Sequence, residues 1–167
     1  MKHVQVFGIE NFDSLQKEAL SLIPVNTEQV YGDYDVHGDP TQWQPKSKPY
    51  YDVTMRMIKK ACDTYSSSWG CTTWNLNTLW YHAYNEGGTY RMHTHTLTNM
   101  TGVLHLLLED ERDHTNVMNF EGNIKQGEVV LFPSMHPHKS EVVHGIKIII
   151  GFNWDIHHNM KTREAVQ

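Results

Sequence analysis

The stretch from Leu79 to Leu108, LWYHAYNEGGTYRMHTHTLTNMTGVLHLLL, decides how the rest of the chain is read. At its centre stand His93 and His95, separated by Thr94. On a β-strand, side chains at i and i+2 leave the same face, so both rings can address one point. Aromatic and aliphatic residues flank the pair on both sides. The pattern points to a metal site carried by a sheet, with a third ligand supplied from elsewhere in the chain.

Composition bounds the possibilities. A chain of 167 residues suits one domain with a sizeable core. A hydrophobic share of 39% with 20% charged residues is that of an ordinary globular protein. No run approaches the roughly 18 apolar residues of a membrane helix. The opening MKHVQVFGIENF lacks the apolar segment and cleavage site of a signal peptide. Cys62 and Cys71 are too few for a disulfide framework, so a cytoplasmic setting and no membrane partner are expected. The net charge of -5 gives no basic footprint, so no nucleic-acid partner is expected either. The unusual count is 12 His against 5 Phe, and His is the commonest metal ligand.

Val4 to Phe7 alternates apolar and polar residues and reads as a short strand. Asn11 or Asp13 can cap a helix through Ile23, which Pro24 ends. Residues 28–49 have no period and contain Tyr31, Tyr34, His37 and Trp43, the marks of a surface loop or a binding lid. The spacing of Val53, Met57, Ala61 and Tyr65 predicts a helix over 51–68, stopped at Gly70, with the apolar stripe as core packing. The two cysteines read as inert thiols. After Gly70 the pattern becomes β, with strands expected near 73–84, 103–109, 117–120, 128–133 and 142–154. Asn85-Glu86-Gly87-Gly88, Glu121-Gly122-Asn123 and Gln126-Gly127 supply turns between them. Helices followed by many strands indicate an α+β, mainly β protein in which the helices buttress a sandwich or barrel.

The third ligand is sought in GEVVLFPSMHPHKSEVVHGIKIIIGFNW, residues 127–154, which holds His136, His138 and His144. His138 follows the apolar strand and the Phe132-Pro133-Ser134 segment, at a turn. Lys147 lies among isoleucines in the next strand, and a lysine is rarely buried unless an anion pairs with it. His136 and His144 read as satisfied or surface residues, as do His82, His114, His157 and His158. Glu109 to Asp113 reads as a solvated turn.

The joint order of these features resembles the 2-oxoglutarate- and Fe(II)-dependent dioxygenases of the prolyl-4-hydroxylase-like branch, and is closest to the small oxygenases of phages and bacteria. The resemblance covers roughly residues 74–154. It is carried by Tyr84, Gly87-Gly88, Tyr90 and His93-Thr94-His95, then by Thr101-Gly102-Val103-Leu104-His105-Leu106. Gly127, Phe132-Pro133-Ser134, His138, Lys147 and Asn153 complete it. It implies a double-stranded β-helix, a jelly-roll barrel with N-terminal supporting helices, within one domain spanning 1–167. Residues 1–72 would hold the first strand, the helices and the lid-like loop, 73–154 the barrel and 155–167 a tail. His93 and His138 would be iron ligands. Lys147 would pair with the distal carboxylate of 2-oxoglutarate, and Tyr84 and His105 would hydrogen-bond that cosubstrate. The implied setting is the cytoplasm of a bacterium or of a phage-infected host.

The family's middle ligand is a carboxylate, and here that place is taken by His95. Three accounts stand open: His95 is itself the third metal ligand beside His93 and His138; His95 stands behind a water or an anion; or the fold persists with lost or changed activity. The resemblance implies Fe(II) as cofactor, 2-oxoglutarate as cosubstrate, and a substrate that is a peptide, a protein or a small molecule. The expected state is a monomer or homodimer. The alternatives are a three-histidine metal dioxygenase that uses no 2-oxoglutarate, and a non-catalytic metal- or ligand-binding barrel.

Overall fold

The computed structural model describes residues 3–23, 31–32 and 44–158, the pair 31–32 as backbone only. Most of the lid-like stretch within 28–49, including Tyr34, His37 and Trp43, lies outside the described residues. Strand β1 (Gln5–Gly8) leads into helix α1 (Phe12–Leu22), and β2 (Tyr31–Gly32) precedes helix α2 (Tyr51–Ser68). The strands β3 (Thr73–Tyr84), β4 (Tyr90–His93), β5 (Met100–Leu108), β6 (Thr115–Val117), β7 (Glu128–Pro133), β8 (His138–Ser140) and β9 (Lys147–His157) follow. They form a six-stranded sheet, β1-β7-β5-β9-β3-β2, and a three-stranded sheet, β4-β8-β6. All pairings are antiparallel, the pattern of a jelly roll.

Period two divides the large sheet into two faces. Leu79, Tyr81 and Ala83 of β3, Leu104 and Leu106 of β5, Val129 and Leu131 of β7, and Ile148, Ile150, Phe152 and Trp154 of β9 are buried in one core with the helices. Helix α2 contributes Val53, Met57, Ile58, Ala61, Cys62 and Tyr65 to it. The alternate residues Tyr84, Val103, Val130, Phe132 and Ile149 form a second core with Val117, Ile124 and Val143. Each fully buried aliphatic side chain contributes about 1.5–3 kcal/mol, so the two-faced alternation is what fixes strand register.

Local signals act where the sequence places them. Gly70 adopts φ 70, and the Cys71 N–H returns to the Ser66 carbonyl to end α2. Gly102 lies opposite Phe152, and a Cβ there would sit 2.1 Å from the ring. The glycine in Thr101-Gly102-Val103 therefore makes room for a core aromatic. Asn11 precedes α1 in a left-handed conformation and gives it no side-chain cap, unlike the expectation. The strand expected over 142–154 starts only at Lys147, and β8 forms a separate strand, because residues 141–146 turn between the two sheets. No described helix is long and apolar enough to cross a membrane.

Candidate metal centre

The second face of the large sheet lines a cavity of about 390 Å³ that contains His93, His95 and His138. His93 closes β4 and His138 opens β8, paired directly across the small sheet. His95 is not on a strand. It lies past the end of β4, in a turn held by its own N–H donating to the Ser134 carbonyl at 3.0 Å. The i, i+2 spacing predicts His93 and His95 on one strand face; the fold brings the two rings together without a shared strand.

One ring nitrogen from each of the three histidines lies within 4.8 Å of the others. The Nε2 atoms of His95 and His138 are 3.2 Å apart. Two donors bound at right angles to one ion, with metal–nitrogen bonds of about 2.0–2.1 Å, stand about 3 Å apart, so this pair fits a common ion. The outer nitrogens of His93 and His138 are engaged. His93 Nδ1 donates to the Arg91 carbonyl at 2.9 Å, and His138 Nδ1 to the His136 carbonyl at 3.2 Å. Such bonds fix the tautomer and turn the Nε2 lone pair inward. Burial, then the neighbouring His93, lowers the His138 pKa to about 3 and that of His95 to about 4. Burial lowers that of His93 too. All three rings are neutral near pH 7 and free to bind a divalent ion. An all-imidazole set suits several borderline metals and does not by itself select iron.

Lys147 is fully buried and faces inward from β9 with Ile149, Gly151 and Asn153. Its Nζ donates to Ser140 Oγ at 2.8 Å and lies 5.3 Å from the Tyr84 ring centroid. Ser140 and Tyr84 line the cavity, whereas Lys147 stands behind them. Burial lowers its pKa to about 7, with Asp113 acting in the opposite direction. Tyr84 has a hydroxyl 3.1 Å from His82 Nδ1, and burial raises its pKa well above the ordinary phenol value, so it remains a neutral donor.

His105 is also fully buried but does not line the cavity. Its Nε2 accepts the Thr115 N–H at 3.0 Å and lies 3.0 Å from the Thr115 hydroxyl, and Thr115 does line the cavity. His82, expected to be a surface or structural residue, forms part of the cavity wall beside Tyr84. Asp113 corrects the solvated turn: it is buried and accepts from His144 Nδ1 at 2.7 Å and from the His144 N–H at 2.9 Å. His157 and His158 are exposed, as expected. Thr115, Ser140 and Trp80 also line the site, and no sequence motif marked them. Ser140 carried no such signal, because β8 is too short to show a period of its own.

No protein-family model matches the sequence, and no curated protein does. The fold, by contrast, is that of the 2-oxoglutarate/Fe(II) oxygenases, prolyl hydroxylases among them. The chain is similar to vCPH, the viral collagen prolyl hydroxylase of Paramecium bursaria Chlorella virus-1, solved as a 2-oxoglutarate complex. The two are 15% identical over 92% of this chain and 95% of that one, with a TM-score of 0.60. An oxidoreductase of the 2OG-Fe(II) oxygenase family from Burkholderia pseudomallei is 11% identical over 91% and 84% of the two chains, with a TM-score of 0.64. HygX from Streptomyces hygroscopicus, solved with nickel and 2-oxoglutarate, is 11% identical over 91% and 82%, with a TM-score of 0.57. The resemblance read from the sequence and the structural likeness thus point to the same branch. Identities this low establish the fold alone.

Proposed function

We propose that this protein is an Fe(II)- and 2-oxoglutarate-dependent dioxygenase that hydroxylates a peptidyl or small-molecule substrate, releasing succinate and CO₂. The observation that carries the reading is a convergence in one jelly-roll cavity. Three neutral imidazoles meet at one point, and a buried lysine stands behind the adjoining wall with no carboxylate in ion-pair distance among the described residues. His93, His95 and His138 would hold the metal on one face, leaving the other positions for cosubstrate and O₂. The metal, when bound, supplies the oxidation chemistry, and the protein supplies positioning and exclusion of side reactions.

Lys147 would take the distal carboxylate of 2-oxoglutarate, with the Ser140 and Tyr84 hydroxyls as further donors. A cation in that low-dielectric pocket attracts an anion far more strongly than it would in water. His105 enters this scheme through Thr115, whose backbone N–H and hydroxyl it holds. The alternative three-histidine dioxygenase without 2-oxoglutarate shares the metal set but leaves Lys147 without an anion. A metal-binding barrel without activity leaves it equally unexplained. The test is succinate formation from 2-oxoglutarate by the Fe(II)-loaded protein in air. Release that depends on Fe(II), O₂ and Lys147 is expected, and turnover untouched by Lys147→Ala would overturn the cosubstrate assignment.

A further inference from the structure

The three histidines are not held in the same way. His93 and His138 each anchor the outer ring nitrogen on a backbone carbonyl, as described above. Among the described residues the one hydrogen-bond contact of the His95 side chain is that of its Nε2 with His138, so none orients the ring from behind. Two rings lie nearly parallel to it: that of His138, at a centroid separation of 5.0 Å and an interplanar angle of 9°, and, from outside the histidine cluster, the indole of Trp80, at 5.6 Å and 24°. Trp80 in turn lies against Gly151, its direct cross-strand partner on β9. A Cβ at Gly151 would fall 2.5 Å from Trp80 Cε2, 2.6 Å from Cζ2 and 2.7 Å from Nε1. The indole therefore rests where only a glycine leaves room for it, and it is almost fully buried there.

We infer that Trp80, seated on Gly151, is the positioning residue for His95. The flat indole sets the plane of the third imidazole and turns its Nε2 towards the point that His93 and His138 share. The physical need is plain. An imidazole in place of a carboxylate is larger and rotates about two side-chain bonds. Without an outer hydrogen bond, its orientation has to come from packing. A stacked aromatic surface restricts that rotation while leaving both ring nitrogens accessible. The inference rests on the reading that all three histidines bind the metal.

The test uses the full chain carrying isotope-labelled histidine and loaded with Zn(II), a diamagnetic probe for the same donor set. Ring-nitrogen spectra count the metal-bound imidazoles directly. Three are expected in the unaltered protein and two in Trp80→Leu. Zn(II) affinity should fall roughly 10- to 100-fold, the range for groups that orient metal ligands. Trp80→Phe, which keeps a flat ring, should retain three. Gly151→Ala leaves the indole in the chain but displaces it, and should behave like Trp80→Leu. It serves as the independent variant if the leucine replacement does not fold. A merely structural tryptophan would lower the thermal midpoint while all three rings stayed bound. Three bound rings at unchanged affinity in Trp80→Leu or Gly151→Ala would overturn the inference alone. Two bound rings in the unaltered protein would instead overturn the three-histidine reading on which it stands.

Discussion

Lys147 Nζ reaches Ser140 Oγ at 2.8 Å, and this hydrogen bond is its sole polar contact among the described residues. The lysine is fully buried, and Asp113 is too distant to form an ion pair with it. An ammonium taken out of water without an anion is costly, and the fold answers by lowering its pKa to about 7. The residue makes physical sense as half of a pair whose other half arrives with a ligand.

The first prediction concerns that ligand. Lys147→Met should weaken 2-oxoglutarate binding to the metal-loaded protein roughly 10- to 100-fold, the worth of a hydrogen bond to a charged group. Metal affinity should stay within about twofold, because the lysine touches none of the three histidines. Ser140→Ala should cost less, about 1 kcal/mol. Anaerobic calorimetric titration separates the two affinities. Equal losses of metal and cosubstrate would place Lys147 in the metal site instead.

The second is a pH dependence of the metal-free protein. The lysine pKa is about 7 in the folded state against 10.5 as its ordinary value. Between those values the unfolded chain carries more protons, so stability rises with pH and is lost as pH falls towards 7. Cys62, whose thiol burial raises, works in the opposite sense at higher pH. The lysine effect is therefore read from about pH 7 to about pH 8.5. Urea unfolding across that window should show stability climbing in the unaltered protein and a flatter course in Lys147→Met. Identical slopes would show that Lys147 does not carry the effect.

The third addresses the departure from the carboxylate-bearing pattern. His95→Ala should lose most metal affinity, with a drop similar to that of His138→Ala. His95→Asp should retain metal and, by lowering the site charge by one unit, hold Fe(II) more firmly than the natural histidine. Equilibrium competition with a coloured chelator measures all three. Unchanged iron binding in His95→Ala would remove His95 from the ligand set.

The fourth is a matter of packing. Gly102→Ala places a methyl group 2.1 Å from the Phe152 ring, in the core between the large sheet and the helices. Overpacking of this kind costs about 1–3 kcal/mol, which lowers the thermal midpoint by several degrees in a chain of this size. A thermal melt at unchanged midpoint would mean that Phe152 turns aside freely.

Much of this arrangement was legible in the residues. Helical spacing with a stop at Gly70 placed α2, and the runs of Val, Ile and aromatic residues placed β3 and β7 closely. His93, His95 and His138 were singled out from 12 histidines by the order of the motifs around them, and the fold brings the three together. What escaped was whatever depends on which face a residue occupies. His82 read as a surface or structural residue with no link to the site, and it shares the inward side of β3 with Trp80 and Tyr84. His105 looked like a direct cosubstrate partner, but Thr115 of β6 stands between it and the cavity. Ser140 and Thr115 are common residue types that become informative only when two strands distant in sequence pair. Strand β8 is too short to carry a period of its own.

The most direct measurement is the visible absorption spectrum of the metal-free protein without oxygen, recorded after Fe(II) and again after 2-oxoglutarate. The account predicts a weak metal-to-ligand charge-transfer band that needs both additions and is absent from His95→Ala and His138→Ala. Stoichiometric iron uptake with no such band would contradict it, leaving a barrel that binds metal but not this cosubstrate.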